Sequence, residues 1–258
     1  MFAEERHQLI VEQLAADGKV SVAQLSERFE ITRETVRRDL ALLESENYLR
    51  RVHGGAVAVG DASTREESYV VRTAIHAESK ARIAQRALSL LPVSDASVII
   101  DAGTTTEILA ERMVNTNAGA GLLVITHALP IASVLVQSPD IALELIGGRV
   151  RGITGAASGA RTTQEFSNYR ADIAFIGTNG LHADFGLSTP DPLEAAVKTA
   201  LMSSARRVVL LADSSKFDQE TLVRFGSLNS IDALVTDQLP EGELARALHD
   251  ADVEVIVA

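Results

Sequence analysis

The chain has 258 residues, is 46% hydrophobic and 23% charged, and carries a formal net charge of -11 at pH 7. Its composition is that of a folded globular protein; no apolar run approaches the ~20 residues that span a bilayer, so a membrane protein is not expected. Cysteine is absent and the six histidines are scattered, so disulfides, thiol nucleophiles and cysteine-based zinc sites are excluded, and neither a metal nor a cofactor is expected.

The amino terminus, "MFAEERHQLI", lacks the basic and then apolar build of a secretory signal, which makes the cytoplasm the expected compartment. Apolar residues then recur at three- and four-residue spacing in three sets: Leu9, Ile10 and Leu14; Val22, Leu25 and Phe29; Val36, Leu40 and Leu43. That period predicts three short helices, each with one apolar face. Asp17-Gly18 stops the first, Val20 can lie in a minimal strand, and Ser21 with Gln24 forms a capping box that starts the second. The second ends near Phe29-Glu30, and Thr32 caps the third after a turn of the length found in a helix-turn-helix. Leu49, Val52, Val57 and Val59 flank Gly54-Gly55, a pair suited to a tight hairpin turn, so a two-stranded wing is expected. Residues 58–73 lack a period and read as a linker.

From residue 74 onward short apolar strands alternate with helices. "SVIIDAG", "GLLVIT", "IALELIGG", "DIAFIGTNG", "RVVLLAD", "ALVTD" and "VEVIVA" are the strand candidates. Such alternation predicts an α/β domain over residues 74–258, a mostly parallel sheet covered on both faces.

The third helix concentrates Arg33, Arg37 and Arg38 in an acidic chain. With Val36, Leu40 and Leu43 facing inward, Thr32, Arg33, Glu34, Thr35, Arg37 and Arg38 fall on its start and solvent side. In a helix-turn-helix this is the part that enters the major groove, where arginine recognises guanine and glutamate accepts from cytosine. Arg50, Arg51 and His53 on the wing can reach the flanking backbone. A plainer reading is a solvated face whose arginines pair with Glu34, Asp39 and Glu44. Residues 1–57 hold eight basic and ten acidic residues, a net of -2, so DNA affinity would rest on a few placed arginines.

"TVRRDLALLE" followed by "RVHGGA" resembles the winged helix-turn-helix of the DeoR family of bacterial transcription regulators, and "DAGTTTEILA", "LIGG", "AFIGTNGL" and "LLADSSKF" resemble that family's sensor domain. The resemblance implies a Rossmann-like core similar to sugar-phosphate isomerases. It also implies a phosphorylated sugar as effector, with fructose 1-phosphate a first candidate, and double-stranded operator DNA as partner. The DNA-binding set expected is Ser21, Thr32, Arg33, Glu34, Thr35, Arg37, Arg38, Arg51, His53, Gly54 and Gly55.

The residues of the second domain offer their own candidates. "VIIDAGTTTEIL" puts Asp101, Gly103, Thr104, Thr105 and Thr106 between a strand and a helix, where backbone amides and hydroxyls can hold an anion, although threonines also cap helices without a ligand. Further strand ends carry Thr126 and His127, Gly147 and Gly148 with Arg149 and Arg151 beyond, and Asp213 with Lys216. The glycines alternatively just turn the chain, and Asp213 with Lys216 alternatively forms a surface pair. The resemblance adds Lys80 to the effector set and implies asparagine where this chain has His127. The expectation is therefore a repressor of a carbohydrate operon acting as a homo-oligomer, dimer or tetramer. The rival is a sugar-phosphate isomerase fused to a helical domain, with Asp101, Asp172, Glu194, Lys198 and Asp213 as possible acids and bases. A third reading makes residues 1–57 a protein-binding module.

Overall fold

Ile10, Val11 and Leu14 lie buried on one face of the first helix, α1 (Ala3–Asp17), and the sequence period that placed them there organises the whole amino-terminal core. The computed structural model describes residues 3–45, 48–52, 54–57 and 69–258, and the chain divides into two compact units, residues 1–77 and 78–258.

In the first unit α1 is followed by strand β1 (Lys19–Ser21), α2 (Val22–Arg28), α3 (Arg33–Ser45), β2 (Arg50–Val52), β3 (Gly55–Val57) and α4 (Tyr69–Ala74). Val22 and Leu25 of α2, Phe29 after it, and Val36, Leu40 and Leu43 of α3 close over the buried face of α1. Ser21 caps α2: its Oγ accepts from Gln24 N at 3.1 Å and donates to Gln24 Oε1 at 2.9 Å, so the Gln24 side chain meets the Ser21 hydroxyl where a capping box would return to the Ser21 backbone N–H. Thr32 caps α3 by accepting from Thr35 N at 3.1 Å.

The wing differs from the expected two-stranded hairpin. β1 joins as a third strand, and the antiparallel order is β1-β3-β2. Only Gly54, at φ +86°, has turn conformation. Gly55 is the first residue of β3, where a Cβ would stand 2.0 Å from Val20 O, so close approach to β1 and not turn geometry requires glycine there. His53 and the linker residues 58–68 lie outside the described residues. The described part of the segment read as linker, residues 69–73, belongs to helix α4, too short to show a period in the sequence.

The second unit runs α5 (Ala77–Ala87), β4 (Ser97–Ile100), α6 (Thr104–Asn115), β5 (Leu123–Thr126), α7 (Leu129–Leu135), β6 (Ala142–Leu145), β7 (Arg149–Arg151), β8 (Ala156–Ser158), α8 (Ala160–Phe166) and β9 (Ala171–Gly177). It continues with β10 (Gly180–His182), β11 (Gly186–Thr189), α9 (Pro192–Ser203), β12 (Ala205–Leu211), β13 (Val223–Gly226), β14 (Ala233–Thr236), α10 (Gly242–Asp250) and β15 (Glu254–Val257). Seven strands form one sheet in the order β15-β14-β12-β9-β4-β5-β6, and every neighbouring pair is parallel. Successive side chains point to opposite faces. Ile173, Phe175, Val209 and Leu211 pack with α5, α6 and α7, while Ala174, Ile176, Val208 and Leu210 pack with α8, α9 and α10. Burial on both faces is why these strands read as unbroken apolar runs.

The chain starts the sheet at β4, builds outward through β5 and β6, and then returns to the other side of β4 to lay down β9, β12, β14 and β15. The direction of winding reverses between β4 and β9, and the crevice beyond the carboxyl ends of those two strands is where open α/β sheets receive ligands. Two small antiparallel sheets, β7-β8 and β10-β11-β13, lie outside the main one. No helix among the described residues is long and apolar enough to cross a membrane.

Candidate functional site

Two sites emerge, one in each unit. In the first, Arg33, Arg37 and Arg38 are exposed on α3. Of the three acidic partners that a solvated face would use, only Glu34 approaches them, at 3.7 Å from both Arg37 and Arg38. Asp39 is turned inward and buried, accepting from Arg6 Nε at 2.6 Å and Arg6 Nη2 at 2.9 Å, with His7 Nε2 at 2.9 Å. Burial pushes the Asp39 carboxyl up, but the bonds from Arg6 and His7 outweigh it and hold the group below the ordinary carboxylate range. Glu44 is taken by Arg51, through the backbone N at 2.8 Å and the guanidinium at 2.7 Å. The arginines of the expected reading face are thus left to solvent, while Asp39 ties α3 to α1. Asp39→Asn is expected to cost about 2–4 kcal/mol of stability by stranding the buried Arg6 guanidinium, and a urea melt of the whole chain measures it. An unchanged midpoint would mean that water reaches the pair.

Glu34 is exposed and Thr35 half-buried on the same helix. Ser21 serves as a helix cap, Gly54 as a turn residue, Gly55 as a packing residue, and Arg51 is held by Glu44. These explanations are local and structural, and Arg33, Arg37 and Arg38 with Glu34 remain the outward-facing polar group.

In the second unit Asp101 follows β4 directly and is fully buried at the winding reversal. Its Oδ2 accepts from Gly177 N, at the end of β9, at 3.0 Å, and from the Lys198 ammonium of α9; Lys198 also donates to Gly177 O at 2.9 Å. The two strands are therefore laced together by a buried ion pair. His127, after β5, is 3% exposed, its Nε2 is 3.9 Å from Asp101 Oδ1, and its ring meets Phe166 edge-on at 5.7 Å. Burial pushes the imidazole pKa down, the nearby Asp101 carboxylate opposes this only in part, and Lys198 adds to the lowering; the ring is neutral. Asp101 Oδ1 and His127 Nδ1 are buried without hydrogen-bond partners among the described residues.

The β7-β8 hairpin docks beside this centre. Ala157 N donates to His127 O at 2.9 Å and Leu129 N to Gly155 O at 2.9 Å. Arg151 of the hairpin bonds Glu194 and lies 3.3 Å from Asp191, which caps α9 through the amides of Leu193 and Glu194. Asp191 at the cap of α9, and Glu194 and Lys198 on it, thus bring two carboxylates and an ammonium to the crevice.

The structure divides the other candidates. Thr104 and Thr105 open α6 beside Asp101 and their hydroxyls have no hydrogen-bond partner among the described residues, whereas Thr106 donates to Asp101 O at 2.7 Å and Gly103 O at 2.8 Å. Thr126 is likewise occupied, donating to Ile100 O at 2.8 Å and accepting from Ala128 N at 3.2 Å. Thr162 donates to Gly147 O at 3.0 Å, and a Cβ on Gly148 would fall 2.0 Å from Thr162 Oγ1, so Gly148 serves chain packing, whereas a Cβ on Gly147 would meet nothing within 4 Å. Asp213 lies just beyond β12, the strand next to β9, and caps the turn Ser214–Lys216 through Ser215 N at 3.1 Å. Lys216 is half-exposed and ends that turn. Lys80 is buried on the face of α5 that carries Ile83 and Ala87.

Lys198, Glu194 and Asp191 were absent from the expected effector set, and Arg151 entered only as a residue beyond a glycine turn. The available signal was a lysine amid the apolar residues of "PLEAAVKTALM", with a carboxylate four positions earlier. Asp172, offered as an acid or base under the isomerase reading, lies at the opposite end of the strands, where it accepts from Ser97 N at 2.9 Å. Thr178 is bonded to Gly180 O at 2.7 Å.

Residues 75–238 match the DeoR C terminal sensor domain and residues 6–61 the DeoR-like helix-turn-helix domain. The chain is 34% identical over 237 residues to a Bacillus subtilis protein named uncharacterized HTH-type transcriptional regulator FruR, covering 92% of each. It is 32% identical over 251 residues to the glycerol-3-phosphate regulon repressor of Escherichia coli, covering 97% of each. Ribose 5-phosphate isomerase A from Methanocaldococcus jannaschii aligns at TM-score 0.39 and 17% identity, over 54% of this chain and 53% of that one.

Proposed function

This chain belongs to the DeoR family of transcription regulators, and we propose from that premise that it represses a carbohydrate operon through residues 1–57 and leaves its operator when a phosphorylated sugar binds within residues 74–258. The observation that carries the DNA half is the inward turn of Asp39 onto Arg6 and His7, which leaves the exposed Glu34, at 3.7 Å, as the acidic neighbour of Arg37 and Arg38 on the helix that enters the major groove. The effector half is supported by the crevice at the winding reversal. There the first turn of α6, with Thr104 and Thr105, offers amides and hydroxyls to a phosphate, and Asp101 and His127 offer polar groups to a carbon chain bearing hydroxyls.

The regulator is read as a homo-oligomer, because one small reading head makes too few contacts for tight specific binding. Effector release requires that the sugar phosphate bind the DNA-competent arrangement more weakly than the incompetent one. The protein is read as a regulator and not an isomerase: the relative matched across its full length is named a repressor, and Asp172 stands away from the crevice.

Lys216, half-exposed at the end of the turn that Asp213 caps, is assigned to the effector's phosphate. Lys216→Ala is expected to bind labelled operator as wild type does but to need at least about tenfold more sugar phosphate for release, one charge-assisted contact being lost. Competition on labelled DNA reads this directly, and normal release would place the phosphate elsewhere.

A further inference from the structure

Asp101 is fully buried and its two carboxylate oxygens are treated differently by the fold. Oδ2 is occupied by Lys198 and Gly177 N, whereas Oδ1 has no hydrogen bond among the described residues. Across from it stands His127, 3% exposed, with Nδ1 unpartnered and Nε2 at 3.9 Å from Oδ1, too far to bond it. Buried polar atoms are ordinarily paired, and an unpartnered carboxylate oxygen with an imidazole nitrogen 3.9 Å away points to a group that belongs between them.

The gap has a definite chemistry. An oxygen placed about 2.8 Å from both atoms subtends roughly a right angle between them, close to the geometry of a hydroxyl that donates one hydrogen bond and accepts another. A neutral imidazole supplies an N–H to that oxygen's lone pair, and the carboxylate takes its proton. A phosphate or carbonyl oxygen brings no proton for Asp101, and an ammonium would sit beside Lys198. The ring is also held in place, edge-on to Phe166 and with its backbone oxygen bonded by Ala157 of the hairpin.

We propose that His127 and Asp101 clamp one hydroxyl of the phosphorylated sugar, making His127 a residue that determines which sugar is accepted. This rests on the sugar-phosphate reading of the same crevice. A sugar lacking that hydroxyl, or carrying it with the opposite configuration, leaves Asp101 Oδ1 unsatisfied and the imidazole without its partner, and is rejected for that reason.

The test is calorimetric titration of the full chain with fructose 1-phosphate, fructose 6-phosphate, glucose 6-phosphate and glycerol 3-phosphate. The tightest of them is then compared with its singly deoxygenated analogues, on wild type and on His127→Phe. Phenylalanine keeps a ring against Phe166 while removing both nitrogens, and a thermal melt checks that the variant is folded. Expected is one position whose deoxygenation weakens wild type about 10- to 100-fold and His127→Phe scarcely further, with the other positions costing the same in both proteins. If His127→Phe does not fold, His127→Asn serves the same cycle, since its shorter amide is expected to give a smaller loss confined to the same hydroxyl. Undiminished binding of the parent sugar to the folded variant, or equal costs at every position, overturns the clamp alone. Failure of all four probes to bind wild type overturns the sugar-phosphate reading and the clamp together.

Discussion

Lys198→Met is expected to lower the stability of the protein by about 3–5 kcal/mol, the cost of leaving a buried carboxylate without its counter-charge. Asp101 has no exposed side-chain surface and Lys198 only 7%, so water cannot take over the role of the ammonium. Methionine keeps most of the lysine stem, which limits any cavity and makes the lost charge the dominant effect. The same substitution removes the bond to Gly177 O and loosens the tie between β4 and β9 at the crevice. Asp101→Asn combined with Lys198→Met is expected to recover most of the loss, because the pair is then neutral on both sides. Urea unfolding of the two single variants and the double variant decides this. A double variant no more stable than Lys198→Met would show that packing, and not charge, sets the cost.

Arg37→Ala and Arg38→Ala are each expected to weaken operator binding about 10- to 100-fold, the worth of one good bidentate base contact. Stability should scarcely change, within about 0.5 kcal/mol, because both side chains are exposed and meet Glu34 only at 3.7 Å. Sugar-phosphate binding should be untouched, since the substituted residues belong to the first unit. The net charge of -2 over residues 1–57 sharpens the expectation: without a broad basic field, affinity depends on the few arginines that are placed. Operator affinity retained by both variants would refute the assignment, and a salt dependence as steep as that of a broadly basic protein would contradict the account of where affinity comes from.

The features legible in the sequence were those governed by local rules. Ser21 and Thr32 announce helix starts because their hydroxyls bond amides three residues on. Ile173 to Ile176 announce a buried strand because both sheet faces are covered. The short segments were not legible. β7, β10 and β13 are three or four residues long and partly exposed, so they carry neither a sustained alternation nor an apolar run. Nor does α8, "ARTTQEF", show a helical stripe. At the site, Asp101 could be found from its strand-to-helix junction, but its partner Lys198 lies 97 residues away and no local pattern joins them. The threonines mislead for a related reason. Thr105 and Thr106 are the same letter, yet one hydroxyl has no hydrogen-bond partner among the described residues and the other is spent on two backbone carbonyls. Which hydroxyl is spent depends on where the helix start places it, and that is a property of the folded chain.

Asp39 shows the same limit from the other side. In the sequence it follows Arg38 and reads as a partner for the arginines, but the fold gives it to Arg6, 33 residues earlier. A charge pattern on one helix therefore does not say which charges cancel until the neighbouring helix is in place.

The central claim is that one chain couples operator recognition to a sugar phosphate. The most direct measurement is binding of the purified protein to labelled DNA from its own upstream region, titrated with the phosphorylated sugars named above. The account predicts tight, sequence-specific binding that one of these sugars abolishes and the others do not. Specific binding that none of them alters would contradict the effector assignment, and no specific binding in any condition would contradict the repressor itself.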